Sequence, residues 1–211
     1  MNHSTPATEL KPVEHINSLL DDFSRVAKVK TAPPKTRFLM KKNSKPMCFL
    51  LYKGTCVISR NEDGLVILKM TGPNIFGINQ LLPPEINVTI ESSSDIEYIQ
   101  VTHEDFFSVV EKNQTWKQVS YVQMYAVSML YEHLRNSYGL STYKIISNLL
   151  YALNNEDFET RAMIPAAVYI QERTFLSRSG IMKILSALKA GGYIVIKRGL
   201  LIKINKLPEN Y

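Results

Sequence analysis

Two adjacent glycines, Gly191-Gly192, divide the end of this 211-residue chain into parts with different periodicities. Before them, Arg178 to Ala190 carries Ile181, Ile184, Leu185 and Leu188 on one helical face. Ser177 stands where an N-cap belongs, and the glycines supply a flexible stop. After them, Tyr193-Ile194-Val195-Ile196 and Leu200-Leu201-Ile202-Lys203-Ile204 read as two strands around Lys197-Arg198-Gly199. Upstream, Pro165 can sit in the first turn of a helix through Ala166, Ala167, Val168, Tyr169 and Ile170. Thr174-Phe175-Leu176 makes the turn that follows. The order helix, turn, helix, strand, turn, strand predicts a helix-turn-helix with a basic hairpin tip for a wing.

Charge points the same way. The formal net charge is +6, and Arg173 to Leu207 holds eight cations (Arg173, Arg178, Lys183, Lys189, Lys197, Arg198, Lys203 and Lys206) with no Asp or Glu. A field of one sign attracts polyanions. A solvated basic face is the alternative that charge alone leaves open. A second acid-free run holds Lys28, Lys30, Lys35, Arg37, Lys41, Lys42 and Lys45 at the start of a strand-rich region. There the solvated-edge reading is preferred, because Lys protects exposed sheet edges.

The rest of the chain predicts a two-part organisation. Glu9 to Lys28 places Leu10, Val13, Ile16, Leu19, Leu20, Phe23 and Val26 on one helical face, and residues 1–8 look frayed. From Phe38 to Thr102, short β-branched and aromatic runs alternate with turn signals. These runs predict an antiparallel sandwich or small barrel, with Asp63-Gly64 as the clearest hairpin and Leu81-Leu82-Pro83-Pro84 among the runs. Thr102 is an expected N-cap of a short helix. A longer helix spans about Thr115 to Tyr138, apolar on nearly every side. Val119, Val122, Ala126, Leu130 and Leu134 form its expected dimer seam, the alternative being a helix buried within one fold. Gly139 ends it, and Ser141 starts a helix with Ile145, Ile146, Leu149, Leu150 and Leu153 inward. The expected division is 1–114, 115–138 and 139–211: sheet domain with its flanking helices, connecting helix, winged helix.

A recognition helix enters the major groove with its N-terminal residues against the base edges. Ser177, Arg178, Ser179, Met182 and Lys183 face outward there, and Arg can bond guanine O6 and N7 together. Lys197 and Arg198 then meet the backbone or minor groove from the wing. The expected partner is duplex DNA, with any single cation open to the plainer reading of a solvated side chain.

With these residues on the page, the chain resembles the CRP/FNR regulators. The Ser177-Arg178-Ser179-Gly180-Ile181-Met182-Lys183-Ile184-Leu185 run is similar to that superfamily's recognition helix, and Gly54, Gly72 and Phe76-Gly77 resemble its β-roll glycines. Tyr169-Ile170, Arg173-Thr174, Leu188-Lys189, Tyr193-Ile194 and the closing Leu201–Tyr211 segment resemble the IprA-type regulators of enterobacteria. The resemblance implies an α+β fold: a cyclic-nucleotide-binding-like β-roll (jelly roll), a long dimer helix and a C-terminal winged helix. It further implies a homodimeric transcription factor linked to oxidative-stress resistance and virulence. The chain departs from the cyclic-nucleotide binders where Ile78 follows Gly77, and from Ile78 to Val101 there is no Arg or Lys. A buried cyclic phosphate without a cation is costly, so no cyclic AMP response is expected.

Other chemistry is thinly represented. Cys48 and Cys56 cannot provide the four ligands of an iron–sulfur sensor. They lie on adjacent strand candidates, where a redox pair is weighed against buried core thiols. The histidines at 3, 15, 103 and 133 share no metal spacing; a haem role for His133 is set against a solvated or interface one. No Walker loop, nucleophile elbow or zinc-protease motif occurs, so neither an enzyme, a metal nor a cofactor is expected. No apolar run spans a membrane and no secretory signal is read, which predicts a cytoplasmic protein. The effector, if one exists, is not legible. The competing function class is a β-roll module binding a ligand or protein, whose C-terminal winged helix contacts a partner instead of DNA.

Overall fold

Helix α1 (Val13–Ser24) opens the chain in the computed structural model, which describes residues 10–79, 87–137 and 139–208. It is shorter than the apolar pattern from Glu9 to Lys28 predicts. Pro12 lies at its N-cap, and a proline is poorly suited to a helix interior, so helix begins only after it. Leu10 and Val26, expected on the inner face, are 62% and 59% exposed. The expectations for residues 1–8, Glu9, Leu81–Pro84, Tyr138 and the last three residues lie outside the described residues.

Among the described residues nine strands follow: β1 (Lys30–Ala32), β2 (Arg37–Leu39), β3 (Lys41–Lys42), β4 (Lys45–Lys53), β5 (Thr55–Arg60), β6 (Val66–Thr71), β7 (Asn74–Phe76), β8 (Val88–Ser92) and β9 (Ile96–Thr102). They form two antiparallel sheets, one ordered β1-β9-β4-β3 with β7 also paired to β4, the other β2-β8-β5-β6. β4 explains its own composition. Cys48 and Leu50 point into a core with α1, while Met47, Phe49 and Leu51 point into the other core, shared with the second sheet. A strand covered on both faces reads as a continuous apolar run. The strands β1 and β3 went unrecognised in the sequence because three- and two-residue lysine-bearing edges carry no alternation.

The β5–β6 hairpin closes at Asp63-Gly64 as expected: Gly64 N–H donates to Arg60 O at 2.9 Å. Cys48 and Cys56, on consecutive strands, are in different sheets and different cores. Gly54 joins those strands at φ +85°, and a Cβ there would run into the Asp95 carbonyl oxygen. The lysine-rich edge is laced by surface pairs, Arg37–Glu91 at 2.6 Å and Lys45–Glu104 at 3.0 Å.

Thr102 caps α2 (His103–Asn113), its hydroxyl accepting from Asp105 N–H at 3.1 Å. α3 (Trp116–Ser137) follows. Val119 and Val122, expected on a dimer seam, are only 5% and 4% exposed and pack with Ile16, Leu19, Phe23 and Phe106. Those two positions belong to the chain's own core, because α1 covers that stripe. Ala126, Leu130 and Leu134 are exposed, along with Met124, Val127 and Tyr131.

The chain divides into two units, Met1–Glu132 and His133–Tyr211. The second contains α4 (Thr142–Asn155), α5 (Phe158–Met163), α6 (Ala166–Gln171), α7 (Arg178–Ala190), β10 (Ile194–Lys197) and β11 (Leu200–Ile204). Its core joins Ile146, Leu150 and Leu153 of α4 with Tyr169 and Ile170 of α6, Ile181, Leu185 and Leu188 of α7, and Leu201 of β11. α5 was missed in the sequence. Its signal is a cap without periodicity: the Asp157 carboxylate accepts from Thr160 N–H at 2.7 Å, but none of the helix's residues is buried.

Candidate nucleic-acid interface

Ser177 starts α7 as the sequence predicts, its hydroxyl accepting from Gly180 N–H at 3.2 Å. Ser177 Oγ also lies 3.2 Å from Ser179 Oγ. Burying Ile181, Leu185 and Leu188 fixes the rotation of the helix, and this turns Ser179, Met182, Lys183 and Ser186 along the opposite, exposed stripe. Arg178 is exposed on the flank of that stripe. The first turn holds no acidic residue, so nothing there opposes an anion approaching the free N–H groups.

The wing is a two-residue hairpin. Lys197 pairs with Leu200 across the turn, and Arg198 and Gly199 have φ +49° and +84°. Two positive φ values in a row define a type I′ connection, which matches the twist of the strands and favours Asn-Gly. Arg in the first position is unusual, because its Cβ crowds the backbone there. The tip is tied down from below: Ala166 N–H donates to Gly199 O at 2.9 Å, satisfying one of the unpaired donors at the start of α6. Lys197 and Arg198 are thereby held on a fixed backbone with exposed side chains.

The structure separates exposed cations from structural ones. Arg173 lies over the Tyr169 ring, 3.7 Å from its centroid, and donates to Tyr169 O at 3.2 Å. Its side chain is 16% exposed, which removes it from the accessible charge that the sequence counts together. Tyr169 OH in turn donates to Glu156 at 3.1 Å, and burial pushes that hydroxyl up to about 12. Arg161 donates to Asn154 O at 3.3 Å and Ile202 O at 3.2 Å, joining the end of α4 to β11. Among the described residues, no carboxylate pairs with Arg178, Lys183, Lys197 or Arg198. Sequence reasoning missed the Glu156–Tyr169–Arg173 and Arg161 networks because their partners are far apart in the chain or are backbone carbonyls.

The first unit carries less chemistry. Cys48 and Cys56 are fully buried, and burial pushes both thiols up to about 12. His103 is buried with Nε2 2.8 Å from Ile78 O, and His15 stacks on Tyr121 at 3.9 Å. The His133 side chain lies outside those described. Among the described residues, no group of three His, Cys, Asp or Glu could hold a metal ion, and no helix is long and apolar enough to cross a membrane. Phe38, Phe49 and Tyr98 fill the space between the sheets, with ring centroids 4.7–5.4 Å apart.

Residues 142–209 match the family described as winged helix-turn-helix DNA binding. Over 164 residues the chain is 27% identical to the inhibitor of hydrogen peroxide resistance of Escherichia coli K12, covering 77% of this chain and 79% of that protein. The protein of that name in Salmonella typhimurium is also 27% identical, with the same coverage. Among solved structures, the c-di-GMP-responsive global regulator CLP of Xanthomonas campestris superposes with a TM-score of 0.69 at 13% identity, covering 90% of this chain and all of that one. A CRP/FNR-family transcriptional regulator of Thermus thermophilus gives 0.58 at 12% identity, covering 83% and 94%.

Proposed function

We propose that this chain, which has the CRP/FNR regulator fold, a winged helix-turn-helix of the DNA-binding kind and homology to the inhibitor of hydrogen peroxide resistance, regulates transcription as a DNA-bound homodimer. The observation that carries the reading is the exposed stripe of α7 beside a rigid basic hairpin, with no carboxylate on its four cations among the described residues. In this reading Arg178 contacts a base edge, with Ser179, Met182 and Lys183 beside it. Ser177 fixes the helix end on which an anion is welcome. Lys197 and Arg198 hold the phosphate backbone. Residues 1–114 serve as a sensor-like domain, 115–138 as the connecting helix and 139–211 as the DNA-binding domain. Self-association uses Ala126, Leu130 and Leu134 with their exposed neighbours, not Val119 or Val122.

Electrophoretic shift of the protein's own upstream DNA tests this reading. Binding at low salt is expected to weaken steeply, with a slope of log K against log salt of about −5 for a dimer using Lys183, Lys197 and Arg198 on each half. No shifted band at low salt would end the proposal.

The β-roll is proposed to ignore cyclic AMP. Ile78 to Val101 has no cation for the phosphate, and the aromatic trio fills space between the sheets. Calorimetric titration is expected to give no heat of binding at micromolar nucleotide; a micromolar affinity overturns it. A link to peroxide resistance is proposed from the homology. One observation favours a protein-contact role in addition: Phe158 and Met163 are 83% and 84% exposed on α5.

A further inference from the structure

Of the described methionines, three are buried, Met129 is half-buried and three are exposed. Met40, Met47 and Met70 are 3%, 6% and 3% exposed inside the β-roll. Met124, Met163 and Met182 are 55%, 84% and 44% exposed. Of these three, only Met182 stands on α7, between Ser179 and Lys183 on the stripe opposite its buried face. It is the one apolar side chain on that stripe. An apolar group among polar base readers has a natural counterpart in the major groove, the C5-methyl of thymine. Methionine reaches such a methyl with an unbranched, polarizable thioether.

The same atom is open to oxidants. The chain's two thiols are fully buried. Burial also holds them protonated, whereas the thiolate is the reactive form. A thioether needs no deprotonation, so its reactivity follows exposure.

We propose that Met182 is a modification site: a base-reading thioether whose oxidation by a hydroperoxide to the sulfoxide weakens DNA binding. In the step, Sδ attacks the peroxide. An S–O bond forms and the O–O bond breaks. Sulfur loses two electrons, and hydrogen peroxide leaves as water after proton transfer. The product is polar at the point that met a methyl group, and that loses the apolar contact and places a sulfoxide dipole against it. The inference rests on the reading of α7 as the recognition helix.

The experiment uses the full-length protein and a duplex that the untreated protein enriches from a random pool. Affinity is measured by fluorescence anisotropy before and after hydrogen peroxide treatment, with catalase added to stop the reaction and peptide mass mapping to locate added oxygen. Wild type is expected to gain one oxygen at Met182 and bind about tenfold more weakly. Methionine sulfoxide reductases are expected to restore it. Met182→Leu keeps an apolar side chain but has no sulfur to oxidise; whatever affinity it shows before treatment, that affinity should be unmoved by peroxide. Met124→Leu and Met163→Leu should remain sensitive. The proposal is overturned if Met182→Leu loses as much affinity as wild type, if oxygen at Met182 leaves affinity unchanged, or if Met182 stays unoxidised. Failure to enrich any duplex before oxidant is added defeats the reading of α7, and this proposal with it.

Discussion

Arg178 and Lys197 are both exposed cations of the second unit, yet the proposed interface gives them different work. Arg178 sits at the first position of α7, where a guanidinium can pair with guanine. Arg178→Ala is expected to cost about 1–3 kcal/mol on the preferred sequence and little on unrelated duplexes. Lys197→Ala is expected to weaken all duplexes alike and to shrink the salt slope by about one unit per protomer. Competition binding across a panel of sequences separates the two, and an equal loss for both variants on every duplex refutes the assignment. The cysteines make a separate prediction. Each thiol ionises near 9.0 when exposed but only near 12 in the fold, so the unfolded chain releases its proton first. The stability tied to them is therefore intact below about pH 9 and falls as pH rises toward 12. Denaturant midpoints measured at about pH 8 and about pH 10.5 should show this drop, and replacing both cysteines by alanine should shrink it. The buried Tyr169 hydroxyl, also raised, accounts for part of what remains.

At the scale of elements, one apolar seam of α3 has different surroundings along its length. Val119 and Val122 face α1 and α2, while Ala126, Val127, Leu130 and Leu134 face outward. Val122→Ala is expected to destabilise the first unit by about 2 kcal/mol, because it empties space in a packed core. Leu130→Lys removes no core contact and is expected to leave the fold intact while converting dimer to monomer in light scattering. If Leu130→Lys remains a dimer at micromolar concentration, the proposed seam is wrong. The helical pattern showed the seam as a whole, but periodicity names the face of a helix without saying what covers each part of it. α5 presents the opposite case. Six residues with none buried leave no periodic trace, and the cap at Asp157 alone does not mark a helix.

For the molecule as a whole, the sequence determined the features that depend on neighbours in the chain. Ser177, Thr102 and Ser141 cap their helices as side chains within three residues dictate. The Asp63-Gly64 turn and Gly199 in the wing turn follow from local backbone preference. The order of elements was sufficient to predict the architecture of the C-terminal unit, and the acid-free run from Arg173 to Leu207 to predict an anionic partner. Tertiary structure decided what depends on packing between distant segments. It put Cys48 and Cys56 in separate cores although only seven residues lie between them, because the two strands enter different sheets. It placed Val119 and Val122 of α3 in a core shared with α1. It took Arg173 out of the accessible basic field by laying it on Tyr169. Charge and periodicity are properties of the chain, but burial is a property of what the rest of the chain brings beside a residue, and burial separates an accessible cation from a structural one.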